Sequence, residues 1–285
     1  MDISLSIASF PLDSDTIQDM KELLQFGDKD YSKPLFSSSW DQFDAKGFAV
    51  LAYTEENELL GFAAALDLIG LDSYEWSVFV HPGFRRLTIG SALAGGVDYG
   101  FEQRQAVNGV AAFIEEESAK SFMESLGYQP DFKEIELEAE PLEDFSLPKE
   151  TLIVPYNGEL EALESLMSSA FDEEIIPVIH YNIESSDRAV FLMKRNGELV
   201  ASAALADEGG KELWITAFAV NPADQGQGYG KAFLLWCRYY AALQGKKRVV
   251  LEVETENDAL AVYQKSGFKP VHTVAYWKKP QLKFK

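Results

Sequence analysis

The sequence predicts a mixed α/β fold, a twisted sheet flanked by helices, that occurs twice along the chain. Segments with alternating apolar residues interleave with segments of helical periodicity. A glycine-rich turn at residues 225–230 joins an apolar strand to an amphipathic helix. The segment Val80 to Gly90 also matches Val220 to Gly230 without a gap, at an offset of 140 positions. Together these observations predict two tandem copies of one α/β fold.

The C-terminal copy has the clearer succession of elements. Alternation and β-branched residues predict its strands, and apolar residues three and four positions apart predict its helices. The turn Asn196-Gly197 favours a hairpin between the second and third strands. The predicted strands cover residues 151–156, 189–193, 199–206, 213–220, 248–253 and 272–277, and the predicted helices cover 160–170, 229–244 and 258–265.

The N-terminal copy repeats this order. Its predicted strands cover residues 48–53, 60–66 and 75–80, and its predicted helices cover 89–104 and 119–126. Gly127-Tyr128 matches Gly267-Phe268 at the same offset of 140, and each glycine follows a helix end. Residues 138–150 are charged, contain two prolines and lack periodicity. We therefore predict one domain over residues 1–145 and another over residues 150–285.

Length and composition limit the class of protein. A chain of 285 residues with 47% hydrophobic residues can bury two cores. Its start lacks the features of a signal peptide, and no apolar run approaches the roughly 18 residues that span a bilayer, so we expect a cytoplasmic protein without a membrane partner. One cysteine and three scattered histidines predict neither a disulfide nor a metal site.

The net charge of −21 is unevenly distributed. Residues 1–145 contain 9 basic and 28 acidic residues, whereas residues 146–285 contain 16 and 18. Such a field repels nucleic acids and anionic lipids and favours a cationic small molecule or a basic peptide as partner. An acidic surface that only aids solubility is the alternative. A polyanionic cosubstrate meets less repulsion in the C-terminal half.

The glycine-rich turn predicts a phosphate site. Glycines between a strand and a helix leave backbone N–H groups uncovered at the helix N-terminus, where an anion can approach without meeting a Cβ. Position 231 is lysine, so the spacing is not that of a dinucleotide-binding turn, and the P-loop pattern is absent from the sequence. The pattern is instead Gln-x-x-Gly-x-Gly, followed by Leu251-Glu252-Val253-Glu254 and by Tyr263-Gln264-Lys265-Ser266-Gly267-Phe268.

These segments resemble the acetyl-CoA-binding and adjoining motifs of the GNAT superfamily of N-acetyltransferases. The C-terminal half is especially similar to the enzymes that acetylate the amino termini of bacterial ribosomal proteins. The resemblance implies a sheet with a bulge in its fourth strand and acetyl-CoA between two parted parallel strands. It also implies that Asn257 faces the cosubstrate and that Tyr263 protonates the leaving thiolate. The implied acetyl-CoA-binding residues are Phe218, Ala219 and Val220 for the pantetheine and Gln225, Gly226, Gln227, Gly228, Tyr229, Gly230 and Lys231 for the pyrophosphate.

Direct acyl transfer needs a neutral amine, donors for the oxyanion and a proton source for sulfur. Tyrosine, with a reference pKa of about 10, keeps its proton at neutral pH and suits the last role. Tyr263 could instead pack the helix onto the sheet. For the base we rank Glu212 first and Glu252 or Glu254 next, although carboxylates at strand ends are often only solvated. Cys237 lies on an apolar helical stripe and is expected in the core.

The N-terminal copy departs from the motif. Thr88 stands where the other copy has Gly228, Glu117 replaces Asn257, and Met123 replaces Tyr263. We therefore predict a degenerate domain without catalysis, although Arg85 and Arg86 still suit a phosphate. The whole chain is predicted to be an acetyl-CoA-dependent N-acetyltransferase that acts by direct transfer on a primary amine of a small molecule or peptide. A non-catalytic acyl-CoA-binding or protein-interaction module is the alternative, and the oligomeric state stays open.

Overall fold

A computed structural model describes residues 3–68, 70–171, 175–207, 209–255 and 260–280. The described chain divides into two compact units. The first unit contains the residues up to Lys133 together with those from Thr273 onward, and the second contains Glu134–His272. Each unit is a mixed sheet with helices packed against it, as predicted.

The first unit begins with a strand, a helix and a three-stranded meander. Asp13 caps the first helix, since its carboxylate accepts hydrogen bonds from the backbone N–H groups of Asp15 and Thr16. The sheet order is β1-β2-β3-β4-β5-β12, in which only the β4–β5 pair is parallel. The elements are β1 (Ile3–Ser9), α1 (Ser14–Leu24), β2 (Lys46–Thr54), β3 (Leu59–Asp67), β4 (Ser73–Val80), α2 (Ile89–Gln103), β5 (Asn108–Ile114), α3 (Glu117–Ser125) and, at the end of the chain, β12 (Lys269–Lys278).

The second unit repeats this layout. Its sheet order is β6-β11-β10-β9-β8-β7, and here the parallel pair is β10–β11. Buried residues of α6, including Phe233 and Cys237, pack on one face of the sheet, while Leu163 and Ile179 pack on the other. The elements are β6 (Gln129–Ala139), β7 (Thr151–Pro155), α4 (Leu160–Ala170), α5 (Ile176–Glu184), β8 (Arg188–Arg195), β9 (Glu198–Ala206), β10 (Glu212–Val220), α6 (Tyr229–Leu243), β11 (Arg248–Glu254) and α7 (Leu260–Lys265).

The last strand of each copy is exchanged. β6 follows α3 in the chain but pairs with β11, from Glu134 opposite Glu254 to Ala139 opposite Val249. β12 follows α7 but pairs with β5. Leu137 is accordingly buried in the core of the second unit, and Trp277 in the core of the first. The compact units therefore differ from the contiguous halves 1–145 and 150–285 in their closing strands.

The predicted elements are present, most within two residues of their predicted ends. The helix expected over residues 258–265 is described from Leu260, because residues 256–259 lie outside the described part of the chain. No residue ranges were predicted for β1, α1, β5, β6 and α5. Cys237 is fully buried, as expected for a core thiol, and burial raises its pKa well above the usual range.

Candidate active site

The two parallel strands of the second unit pair over only part of their length. Their ladder runs from Glu212 opposite Arg248 to Ile215 opposite Leu251 and ends there. β10 nevertheless continues to Val220 and β11 to Glu254. The two strands therefore part, and a gap opens between their carboxyl ends.

A β-bulge in β10 accompanies this gap. Thr216 lies opposite Ala204 and Ala219 lies opposite Ser202, so three steps along β10 face two steps along β9. Ala217 has φ 46°, in the left-handed region that non-glycine residues seldom adopt. A bulge takes backbone groups out of the ladder and turns the strand. This places a bulge in the fourth strand of the C-terminal copy, as the resemblance implied.

A buried polar contact secures the start of the bulge. The side-chain amide of Asn182, which is 2% exposed, donates to the Val178 carbonyl oxygen at 2.8 Å. Its oxygen accepts from Thr216 Oγ1 at 3.4 Å and from Arg188 Nη1 at 3.0 Å. Helix α5 is thereby linked to β10 directly before the bulge. This contact could not be expected from the sequence, because α5 itself was not predicted.

The loop after β10 has the geometry of an anion site. The Asn221 side-chain oxygen accepts from the Ala223 N–H at 3.0 Å and closes the turn. Gly226 and Gly228 then adopt φ 76° and 89°, which glycine accommodates without strain. Because α6 begins at Tyr229, its first backbone N–H groups have no partner earlier in the helix and point out of its N-terminus.

The gap and the loop together form one cleft of about 1070 Å³ within the second unit. Most of the residues predicted to bind acetyl-CoA line it. Those residues are Phe218, Ala219, Val220, Gln225, Gly226, Gly228, Tyr229, Gly230 and Lys231. Gln227 is not among the described lining residues, and its side chain contacts Asp224 and Arg195 at 3.4 Å each. Asn257 lies outside the described residues.

Tyr263 lines the same cleft from helix α7. It is 8% exposed, and its ring lies 6.2 Å from that of Phe218 and 6.4 Å from that of Phe268. Burial raises the pKa of Tyr263 to about 12. The hydroxyl therefore stays protonated at neutral pH. This position is compatible both with packing of the helix onto the sheet and with donation of a proton to the leaving thiolate.

Glu212 lies elsewhere. It starts β10 at the paired end of the ladder, where it forms an ion pair with Arg248, and Arg248 also binds Glu138 at 2.9 Å. Glu212 is not among the described residues that line the cleft, whereas Glu252 and Glu254 are. Glu252 and Glu254 therefore lie at the open end of the gap, from which the parallel ladder separates Glu212.

Other lining residues were not expected. Ala170, Phe171, Ile175 and Val178 approach from α4 and the region around α5, and Glu134 comes from β6. The alternation of glutamates with apolar residues from 134 to 139 is a strand pattern, but nothing in it tells which sheet receives the strand. Outside this set, the Arg195 guanidinium lies 5.8 Å from the centre of the Tyr229 ring and adds positive charge beside the glycine loop.

The corresponding region of the first unit keeps the loop but not the bulge. Thr88 and Arg86 have φ 64° and 66°, and His81 Nδ1 accepts from the Gly83 N–H at 3.0 Å, as Asn221 does for Ala223 in the second unit. β4, however, pairs with β3 without a register shift from Val80 to Tyr74. At the offset of 140, Ala111 of β5 corresponds to Leu251 of β11, and Trp76 of β4 corresponds to Thr216 of β10. Ala111 lies opposite Trp76, but Leu251 lies opposite Ile215, one position before Thr216. β10 has thus gained one residue relative to β4.

Two further properties concern only the described residues. They contain no group of three or more histidine, cysteine, aspartate or glutamate residues arranged to hold a metal ion. None of their helices combines the length and the apolar character needed to cross a membrane.

Comparison with known proteins places this site in a family. The model of the acetyltransferase (GNAT) family matches residues 16–128 and again 150–268. A GCN5-related N-acetyltransferase from Sphaerobacter thermophilus superposes with a TM-score of 0.73 at 17% identity, over 96% of this chain and 95% of that one. A tandem GNAT protein from the clavulanic acid biosynthesis pathway gives a TM-score of 0.71 at 14% identity, over 96% and 98%.

A GNAT-family acetyltransferase from Colwellia psychrerythraea is similar over 96% of this chain and 99% of that chain, with a TM-score of 0.57 and 15% identity. Identities this low show a shared fold rather than a shared substrate. None of the curated proteins searched matches the chain. Because the family model covers most of the sequence in two separate matches, the chain belongs to the GNAT family of acetyltransferases and contains two tandem GNAT domains.

Proposed function

We propose that the second unit is an acetyl-CoA-dependent N-acetyltransferase that transfers the acetyl group directly to a primary amine of a small molecule or peptide. The observation that carries this proposal is that the glycine loop, the parted strands and the buried Tyr263 line one cleft. Phosphate binding, an extended slot and a proton source are what direct transfer from a thioester carrier requires.

The glycine loop suits the pyrophosphate. Its positive φ values at Gly226 and Gly228 expose backbone N–H groups, and Lys231 and Arg195 add positive charge nearby. The backbone of Phe218 to Val220, at the end of the bulge and directly after it, is where the pantetheine amides can form strand-like hydrogen bonds. Asn257 keeps its proposed role facing the cosubstrate, on the resemblance alone.

The proposed chemistry uses two side chains. The carboxylate of Glu252, directly or through a water molecule, accepts a proton from the amine as its nitrogen attacks the thioester carbon. The carbon–sulfur bond then breaks, and the Tyr263 hydroxyl donates its proton to the thiolate of CoA. The products are an amide and free CoA, and the protein regains its starting state by moving the proton from Glu252 to Tyr263 through solvent.

We assign catalysis to the second unit because the first lacks the β10-type bulge and has Met123, which is 1% exposed, at the position of Tyr263. A thioether carries no proton to donate. In the first unit Phe122 also packs against Gly90, where a Cβ would lie 3.1 Å from its ring. The first unit is therefore proposed to be non-catalytic.

The proposed class of acceptor rests on the negative net charge of the chain and on its resemblance to the amino-terminal acetyltransferases of ribosomal proteins. An acidic chain attracts cationic amines, including protein amino termini. The second candidate function is a non-catalytic acyl-CoA-binding or protein-interaction module, which the divergent first unit favours.

One experiment separates the two functions. The full chain is titrated with acetyl-CoA by calorimetry, and thiol release is then followed with a panel of primary amines while mass spectrometry detects acetylated product. We expect one binding site per chain and thiol release matched by amide formation. Binding without product would favour an acyl-CoA-binding module. No binding would reject both the transferase and the acyl-CoA-binding module and would leave the protein-interaction module.

A further inference from the structure

Arg238 joins three parts of the second unit. It lies in α6 and is half-buried. Its Nε donates a hydrogen bond to the Glu140 carbonyl oxygen, directly after β6, at 2.7 Å. Its Nη1 donates to the Ser266 carbonyl oxygen, directly after α7, also at 2.7 Å. The Leu142 N–H donates in turn to the Arg238 carbonyl oxygen at 3.1 Å. The end of α7 is therefore tied to α6 and to the chain that follows β6.

The turn that ends α7 contains the carbonyl group of Tyr263. The Phe268 N–H donates to the Tyr263 carbonyl oxygen at 3.1 Å, and Gly267 between them has φ 90°, as in a Schellman motif. The last carbonyl groups of a helix have no partner within it. Arg238 supplies a charged donor for one of them, that of Ser266, which is 1% exposed. Because Tyr263 belongs to this turn, a group that fixes the turn also fixes Tyr263.

The guanidinium of Arg238 also lies directly against Gly267. A Cβ at position 267 would overlap Nη1 of the arginine. Glycine is therefore needed here for two reasons, namely the left-handed backbone conformation and the close approach of the guanidinium. Since backbone and guanidinium are in contact, the turn cannot move closer to α6, and the hydrogen bond to Ser266 opposes movement away from it.

The first unit builds the same helix end without an arginine. The Met123 carbonyl oxygen accepts the corresponding backbone hydrogen bond at 3.0 Å, and Gly127 has φ 80°. At the offset of 140, Asp98 takes the place of Arg238, and its carboxylate binds Lys279 Nζ at 2.7 Å. Beyond the chain neighbours of Gly127, no described atom lies within 4 Å of where its Cβ would be. The turn therefore forms without the arginine, which occurs in the unit that has the tyrosine.

We propose that Arg238 is a positioning residue for acetyl transfer, which fixes the turn after α7 and thereby holds the Tyr263 hydroxyl in the cleft. This inference rests on the proposed function, because it gives Tyr263 the role of proton donor. Tyr263 lies three residues before the carbonyl group that Arg238 binds, which is less than one helical turn. A displacement of about 1 Å at a reacting group can cost about 10²-fold in rate, so a loose turn lowers kcat. Arg238 is not among the described residues that line the cleft, and it therefore acts through Tyr263.

A double-mutant cycle tests the proposal. Arg238→Met removes both side-chain hydrogen bonds, and its kcat is measured in the wild-type and the Tyr263→Phe backgrounds with an amine that the full chain acetylates. We expect a loss of at least about tenfold in the wild-type background, a change of less than about twofold in the Tyr263→Phe background, and a Kd for acetyl-CoA within about twofold. Arg104→Met, which removes a half-buried arginine that donates to the Gly100 carbonyl oxygen in the first unit, is the matched control and should keep its kcat. Equal losses of kcat in the two backgrounds would overturn the proposal.

Two glycine variants test the same contact with the arginine in place, and they decide the question if Arg238→Met does not fold. Gly267→Ala and Gly127→Ala each add a methyl group to backbone with a similar φ, 90° and 80°. Only the first methyl group displaces the guanidinium. We expect Gly267→Ala to lower kcat by about tenfold and Gly127→Ala to keep it within about twofold. Equal kcat values for the two variants would contradict the proposal.

Hydrogen exchange separates this proposal from the transferase activity. In Arg238→Met, amide exchange in residues 260–268 should accelerate by at least about tenfold, while exchange in β10 and β11 stays as in the wild type. If no amine is acetylated, the proposed function fails separately, and this measurement still decides whether Arg238 fixes the turn. Unchanged exchange in residues 260–268, or the same acceleration throughout the second unit, would overturn the proposal.

Discussion

Thr88 and Gly228 adopt the same left-handed backbone conformation at the N-caps of corresponding helices. Their φ and ψ angles are 64° and 0° for Thr88 and 89° and 1° for Gly228. A β-branched residue pays about 1–2 kcal/mol for this conformation, and glycine does not. The loop shape is therefore common to both units, but only the second combines it with an uncovered backbone. Shape alone does not make a phosphate site, because the Cβ and its substituents occupy the approach.

Gly228→Ala tests this distinction. Alanine at φ 89° is expected to lower the free energy of unfolding by about 1 kcal/mol and to weaken acetyl-CoA binding at least tenfold, as measured by chemical denaturation and calorimetry. Gly197→Ala is the matched control, since Gly197 has the same φ of 89° and lies in the β8–β9 turn outside the cleft. Equal loss of binding in both variants would show that backbone strain, rather than access to the loop, explains the effect.

Tyr263→Phe tests the proton donor. The variant keeps the ring that packs on Phe218 and Phe268 but loses the hydroxyl. We expect kcat to fall by about 10²-fold to 10³-fold while the Kd for acetyl-CoA changes little. Tyr240→Phe removes a hydroxyl from α6 outside the cleft and is expected to retain full activity. A Tyr263→Phe enzyme with wild-type kcat would exclude the donor role.

The raised pKa of Tyr263 predicts how rate and stability respond to alkali. With a pKa of about 12, the hydroxyl stays protonated up to about pH 11, so no loss of rate below that pH is expected from this group. The unfolded chain releases this proton near the ordinary value of 10. The contribution of this group to the free energy of unfolding is therefore fully present below pH 10 and is lost as the pH rises through 12, by about 3 kcal/mol. Urea denaturation at pH 9 and pH 11 should show a smaller decrease for Tyr263→Phe than for the wild type.

A pair of glutamine variants locates the base. Glu252→Gln is expected to lower kcat by about 10²-fold, because the carboxylate lines the cleft with Tyr263. Glu212→Gln is expected to leave kcat within twofold and to weaken only the ion pair with Arg248, which costs at most about 1 kcal/mol at this exposure. A large loss of kcat in Glu212→Gln together with an active Glu252→Gln enzyme would reverse the assignment.

The exchange of closing strands predicts where destabilisation spreads. Leu137→Ala removes a fully buried side chain and is expected to cost about 2–5 kcal/mol. Because Leu137 packs in the core of the second unit, hydrogen exchange should accelerate in β10 and β11. Trp277→Ala should accelerate exchange in β4 and β5 instead, since Trp277 packs against Phe113 in the first unit. The reverse pattern would contradict the observed pairing.

Much of the second unit could be read from the sequence because its signals are local. Helical and strand periodicity located the elements from Thr151 to Lys265, and the spacing of Gly226, Gly228 and Gly230 located the loop. Tyr263 was identified through the resemblance to the GNAT motifs, from its spacing along the sequence to Gly267 and Phe268. The short helix α5 was not predicted, for two reasons. Apolar residues occupy most of its circumference, so it shows no clear helical periodicity, and its first turn contains a proline.

The sequence by itself determined that the chain repeats one α/β fold, that the glycine loop follows the fourth strand of the second copy, and that Thr88 and Met123 replace motif residues in the first. Only the tertiary structure decided that β6 and β12 exchange sheets, that Glu212 pairs with Arg248 away from the cleft, and that Glu134 faces Glu254. Periodicity records which face of a strand is buried. The partner of that strand depends on hydrogen bonds between residues distant in sequence, and these leave no local pattern.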